Sequence, residues 1–218
     1  MYRRRTAIAL SAALAAVPLL SACGGSPHPG AAAVVGGERI TVTQLESRVN
    51  EVRAAQRAAA PDDAQYQQIL GRTGTLTRDT LHSLVLDRVL DRAARNAGVH
   101  ASAQDVERMR TSLEQQAGGA KALQSAWLQQ YGVAPERIDD SLRTEVEAQK
   151  LAAALGADMS TTDGKASFWK AMSKASKELR IELNPRYGTW DVEKSTRVDV
   201  KMPWVKQVSG AATPLQTA

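Results

Sequence analysis

Residues 77–97 constrain the fold more than any other stretch of the chain. Their spacing predicts a helix on which Leu81, Leu84, Val85, Leu86, Val89, Leu90, Ala93 and Ala97 cover more than one face. A surface helix carries a single apolar stripe, so a helix that is apolar around much of its circumference must be packed on several sides. The chain therefore has to supply other elements that enclose it, and Asn96-Ala97-Gly98 provides its stop. The body is rich in Ala, Leu, Gln, Glu and Arg with 4% aromatic residues, a composition that favours helix over strand and fits a bundle.

The enclosing elements can be placed from their end signals. Residues 34–40 read as a short apolar strand, a Gly36-Gly37 turn and a return strand. Thr41 with Gln44 forms a capping box, and Ile40 against Leu45 a hydrophobic staple, so a helix starts at Thr41. It carries Leu45, Val49 and Val52 toward Ala60, where Pro61 and two aspartates end it; residues 71–74 then break the chain. Ser102 with Asp105 caps a helix bearing Val106, Met109 and Leu113 to about Gln116, and Gly118-Gly119 marks a turn. Residues 121–131 present Leu123, Trp127 and Leu128. Pro135 restarts the chain at a first helical turn, where its missing N–H costs nothing. Ile138, Leu142, Val146, Gln149 and Ala153 then form a stripe that lasts to Gly156. After a linker at 161–164, Ala166, Phe168, Trp169, Met172, Ala175 and Leu179 predict a last amphipathic helix. Residues 180–184 alternate as a short strand, and 185–190 form a turn that packs Tyr187 and Trp190 on the core. The fold class is thus mostly α: a multi-helix domain with a small β element built from the N-terminal hairpin and a C-terminal strand.

The N-terminus reads as an export signal, with Arg3, Arg4 and Arg5 ahead of an alanine-rich apolar stretch at 6–20. That stretch is interrupted by Pro18 and falls short of the roughly 20 residues that span a bilayer. Leu20-Ser21-Ala22-Cys23 resembles the bacterial lipobox, which implies a diacylglyceryl group on Cys23 after removal of residues 1–22. Cys23 is the only cysteine, so it has no internal disulfide partner. Residues 23–33 are small and Pro/Gly-rich and are expected to be a flexible tether. The expected domain covers 34–191, and 192–218 a C-terminal extension that is partly disordered. The expected location is the extracytoplasmic side of the cell membrane, through the lipid anchor. Of 28 basic residues three belong to the leader, leaving 25 against 23 acidic ones. A nearly neutral mature chain gives no electrostatic basis for binding nucleic acid.

The inventory for catalysis is thin. His28, His82 and His100 stand apart, and the chain contains no HExxH, cysteine pair, GxSxG or EF-hand loop. Gly164-Lys165 is not a phosphate loop, because Ala166 stands where Ser or Thr is needed. Asp139, Asp140, Glu145 and Glu147 lie on a helix with an apolar opposite face, the arrangement of a solvated surface. No catalytic residue, metal or cofactor is expected.

The order of these elements resembles the N-terminal chaperone domain of SurA-type proteins. The residues that carry it are Val34-Val35-Gly36-Gly37-Glu38-Arg39-Ile40-Thr41, the apolar helix ending in Asn96-Ala97-Gly98-Val99, the Ser102-Ala103-Gln104-Asp105-Val106-Glu107 restart and the helix at 138–155. Residues 181–191 resemble the segment that rejoins this domain after an inserted parvulin isomerase domain. Only residues 156–165 are available for such an insertion, too few for a parvulin fold, so the isomerase activity is not implied. The resemblance implies a membrane-anchored chaperone that holds unfolded or secreted polypeptide in a groove between helices. Met109, Trp127, Phe168, Trp169 and Met172 are the candidate groove residues. The alternatives are an envelope adaptor for one specific folded partner and a peptidyl-prolyl isomerase. The oligomeric state is left open.

Overall fold

A computed structural model describes residues 29–199, so the leader, Cys23 and His28 lie outside the described residues, as do residues 200–218. The described chain opens with a hairpin of β1 (Ala31–Val35) and β2 (Glu38–Thr41). Gly36 and Gly37 turn it, with φ of 61° and 84°. Two successive positive φ angles make the tight turn whose twist matches antiparallel strands, and glycine adopts them without strain. The turn is also pressed close to the fold: the Gly36 N–H donates to the Leu179 carbonyl at 2.6 Å, and a Cβ there would lie 2.8 Å from the Leu179 side chain.

Seven α-helices follow among the described residues: α1 (Val42–Ala59), α2 (Asp63–Arg72), α3 (Leu76–Asn96), α4 (Ala103–Ala117), α5 (Ala120–Tyr131), α6 (Ile138–Ala154) and α7 (Thr162–Leu179). The chain closes with β3 (Glu182–Leu183) and a hairpin of β4 (Thr189–Asp191) and β5 (Thr196–Val198). The mostly α architecture with small antiparallel sheets is as the sequence predicts. Both predicted capping boxes form. The Gln44 N–H donates to Thr41 Oγ1 at 3.0 Å while the Thr41 N–H donates to Gln44 Oε1 at 2.9 Å. Ser102 and Asp105 do the same at the start of α4. Each such cap satisfies backbone donors that have no partner within the helix, worth about 1 kcal/mol.

α3 is the central helix, as its apolar girth requires. It packs against α1, α6, α7 and β1, with Leu81, Val85, Val89 and Ala93 buried. The main core joins these residues to Ile40 and Leu45, to Leu151 of α6 and to Phe168, Met172, Ala175 and Leu179 of α7. β3 pairs antiparallel with β1 on the side away from β2, giving the sheet order β2-β1-β3. The first strand of the described chain and the strand that follows the last helix thus meet in one sheet beside the main core.

Three expectations are corrected. Ala31, Ala32 and Ala33 are fully buried within β1, so they do not belong to a tether that lasts to residue 33. Three small side chains carry no periodicity, but their backbone is held: the Asn184 N–H donates to the Ala32 carbonyl at 2.9 Å and the Asn184 side-chain amide to the Ala31 carbonyl. The break expected at residues 71–74 begins later, because a ten-residue helix to which the sequence assigned no element, α2 with Asp62 as its N-cap, runs through Gly71 to Arg72. It buries no residue and is pinned from α1 by Arg53, which bonds Thr73, and by Arg57, which pairs with Asp63. The domain boundary expected at residue 191 cuts a hairpin, since β4 ends there and pairs with β5 at Thr196–Val198. The Arg197 N–H donates to His82 Nδ1 at 3.4 Å, and the His82 ring lies 5.6 Å from Trp190. Trp190 in turn donates its indole N–H to the fully buried Ser176 hydroxyl at 2.7 Å. Tyr187 and Trp190 pack against the core as predicted, and His82 is a partly buried interfacial residue whose pKa burial pushes down.

Candidate functional site

Beside the main core are two smaller apolar clusters. One joins Val52, Leu76, Leu128 and Ala134. The other joins Val106, Leu123, Ile138 and Leu142, with Met109, Leu113, Trp127 and Val133 packed on it. The three clusters do not merge. Between α1 and α3 on one side and α4, α5 and α6 on the other lies a cavity of about 630 Å³, open on one side. That volume is in the range of sites that enclose a small ligand or a few side chains of a larger one.

One wall of this groove is apolar. Met109 and Leu113 come from α4, Trp127 and Tyr131 from α5, and Val133 from the loop after it. Trp127 and Tyr131 meet edge to face at 5.3 Å, and Tyr131 is 58% exposed, the most exposed large apolar side chain among the described residues. Polar side chains enter the groove from both sides. Thr80, Ser83 and Asp87 recur on one face of α3, with Asp79 beside them, and Ser141, Thr144 and Glu145 line it from α6, while Val52 of α1 and Leu76 and Leu84 of α3 extend its apolar lining.

The charges sort into two groups. At the rim Arg137 donates to both oxygens of Glu51, at 2.8 and 2.9 Å, and approaches Asp140 at 3.4 Å. Arg48 lies 3.6 Å from Glu51 and from Asp140, which closes a neutral quartet of two guanidiniums and two carboxylates. The Arg137 guanidinium holds the Glu51 carboxyl below its usual pKa. Asp79, Asp87 and Glu145 form no salt bridge among the described residues; they accept only from Thr75, Thr144 and Gln149 respectively. Asp87 carries the clearest electrostatic signature in the groove. The surrounding protein raises its pKa from 3.8 to about 6, and the nearby Glu147 and Asp140 carboxylates add to the rise. Burial likewise pushes Glu147 up, with Asp91 contributing. A groove that combines apolar and aromatic side chains with three carboxylates outside any salt bridge among the described residues suits a segment with both apolar and cationic side chains.

The candidate residues divide. Met109 and Trp127 lie together in the groove. Phe168 and Met172 do not: they are 7% and 2% exposed, because the stripe Phe168, Met172, Ala175, Leu179 turns toward α3 and the sheet. Trp169, 44% exposed, stands edge-on to Phe168 on the outside of α7 and is not part of the groove. Cys23 lies outside the described residues. Tyr131, Asp79 and Asp87 were not candidates from the sequence. The available signal was the polar series Thr80, Ser83, Asp87, at helical spacing on the helix that carries Leu81, Val85 and Val89.

Among the described residues no group of three or more His, Cys, Asp or Glu side chains could hold a metal ion. None of the described helices is long and apolar enough to cross a membrane.

Fold and groove together define an α-helical domain closed around α3 and open along one flank. The chain belongs to the SurA-like N-terminal domain family, whose model matches residues 4–152, more than half of its length. This is a chaperone-type domain, distinct from the catalytic parvulin domain found in some of its carriers. The match takes in α1 to α5 and most of α6, whereas α7 and β3 to β5 lie beyond it. No curated protein and no solved structure matches the chain.

Proposed function

We propose that the protein is a membrane-tethered extracytoplasmic chaperone that holds unfolded or extended polypeptide in the groove between α1, α3 and α4 to α6. The observation that carries this reading is the open cavity of about 630 Å³ with Met109, Trp127 and exposed Tyr131 on its apolar wall. An aromatic and thioether surface adapts to many apolar side chains without demanding one shape. Burying two client side chains there gains about 3–6 kcal/mol. Ordering the client segment offsets part of that gain, which leaves an affinity no tighter than roughly micromolar. Binding of that strength protects a client and still lets it go. The lipobox-like Leu20-Ser21-Ala22-Cys23 supports tethering through acyl chains on Cys23.

Purified protein without its lipid is expected to slow aggregation of a chemically unfolded client at stoichiometric ratios. Met109→Ala combined with Trp127→Ala should lose that effect while helix content by circular dichroism is kept. No protection by the unaltered protein refutes the reading, and recovery from membranes of one saturable folded partner in place of many clients favours an adaptor. Labelling of the chain with a radioactive fatty acid, abolished by Cys23→Ala, tests the anchor separately.

A further inference from the structure

The segment that follows Asp199 has the chemistry of a ligand for this chain's own groove. Residues 201–206 read Lys-Met-Pro-Trp-Val-Lys, two cations flanking three large apolar or aromatic side chains. The groove offers the complement: an apolar wall with Met109 and Trp127, and Asp79, Asp87 and Glu145 with no basic partner among the described residues. Two lysines set against three carboxylates match in sign, and Trp204 matches the apolar wall.

The described chain also ends in the right place. The Asp199 carboxylate accepts from Arg78 at 3.2 Å, which brings the exit of β5 to the first turn of α3. Arg78 and His82 bond to the residues of β5 and its end, while Asp79, Ser83 and Asp87 wall the groove on the other side of the same helix. A chain leaving Asp199 therefore has only one helix to round, about 10–12 Å across. The five residue steps from Asp199 to Trp204 extend to roughly 17 Å.

We propose that residues 201–206 occupy the groove when no client is present, as an internal competitor that a client must displace. The inference rests on the reading of this groove as the client site and adds its regulation. A tethered segment acts at an effective concentration of about 1 mM when the linker is short. If its own affinity is about 100 μM, it lowers the apparent affinity for a client about tenfold.

Two measurements on the full chain test this. A photo-reactive p-benzoylphenylalanine placed at position 204 should, on illumination at low protein concentration, cross-link within one chain to α4, α5 or α6 residues of the groove. The triple variant Lys201→Glu, Trp204→Ala, Lys206→Glu should bind a fluorescein-labelled ten-residue peptide of alternating Lys, Trp and Leu about tenfold more tightly than the unaltered chain. Cross-links outside the groove, or none, overturn the proposal, as does measurable peptide binding that is equal in the two chains. If cross-links fall in the groove and neither chain binds the peptide, self-occupancy stands and the chaperone reading fails. If both chains bind the peptide equally and cross-links fall elsewhere, the chaperone reading stands and self-occupancy fails.

Discussion

Replacing Asp87 with Asn should make the protein more stable at neutral pH, and the gain should vanish in acid. Asp87 sits on the groove wall of α3, accepting one hydrogen bond, from Thr144 at 3.3 Å, with no cation bonded to it. Enclosure by protein and the neighbouring Glu147 and Asp140 carboxylates raise its pKa from 3.8 to about 6. Unscreened, that rise corresponds to roughly 3 kcal/mol against the folded, ionised form. Water reaches Asp87 through the open side of the groove, so we take about 1 kcal/mol. The sign follows from which state holds the proton more tightly. The folded pKa lies above the unfolded one, so folding is penalised at pH 7 and relieved as the pH falls through 6 toward 3.8. Asn keeps the shape and carries no charge at any pH. The variant should therefore exceed the unaltered protein by about 1 kcal/mol at pH 7, with the difference shrinking steadily toward pH 4.5. Urea unfolding followed by circular dichroism between pH 7.5 and 4.5 measures this. The midpoint of thermal unfolding should rise by about 2–4 °C at pH 7. A variant less stable at pH 7, or a gain independent of pH, refutes the reasoning. On the proposed reading of the groove, the same change should weaken binding of lysine-bearing peptides, because it removes one of the carboxylates that a cation would face.

Other consequences can be measured on the same material. A double-mutant cycle with Glu51→Gln and Arg137→Met should give a coupling of about 1 kcal/mol at pH 7, since the pair is bidentate and partly buried. Because the folded pKa of Glu51 is depressed, that coupling is fully present above its ordinary 4.5 and is lost as the pH falls through the lowered folded value; a coupling that does not decline on acidification contradicts the assignment. Gly164→Ala should cost about 2–3 kcal/mol by chemical unfolding, since a Cβ there meets the Asp158 carbonyl oxygen at 1.9 Å and its carbon at 2.5 Å. Phe168→Ala should cost about 3–5 kcal/mol through the cavity it leaves. Trp127→Ala should cost less than about 2 kcal/mol yet reduce client holding, and the reverse ranking in either assay would reassign the groove.

The central helix was legible because its signal is local: Leu81, Val85, Val89 and Ala93 fix both its period and its burial in one stretch of sequence. Both capping boxes were legible for the same reason. α2 was not, because its Tyr66, Ile69 and Leu70 never enter a core and are held only through the side chains of Arg53 and Arg57. Ala31 to Ala33 were illegible because their role is carried by backbone bonds to Asn184, about 150 residues away, and alanine has no side chain to announce it. The β4–β5 hairpin hid behind His82 and Ser176, polar residues whose partners arrive from the far end of the domain. Half of the groove was visible in Met109 and Trp127. Phe168 and Met172 resembled them in type, and only the direction in which α7 faces α3 separates core from groove.

The groove is written into the sequence and is not a packing fault. Closing it would require α3 to be apolar where it carries Thr80, Ser83 and Asp87, and α6 to be apolar where it carries Ser141, Thr144 and Glu145. Both helices bury apolar side chains away from the groove, with Leu81 and Val85 on α3 and Leu151 on α6, so apolar residues were tolerable in either helix. α4 packs chiefly on α5 and α6, anchored by Lys150 on Asp105 and by Arg110 on Asp139 at 2.6 Å. The Lys150 ammonium and the Ser102 cap hold the Asp105 carboxyl well below the usual carboxylate range. At the rim the Arg48, Glu51, Arg137 and Asp140 quartet ties α1 to the start of α6. The wall that carries Met109 is thus fixed at its ends by ions and faces α3 across the open cavity. On the proposed chaperone reading, ion pairs at the ends with an open cavity between them are what one groove needs to admit segments of different bulk without unfolding.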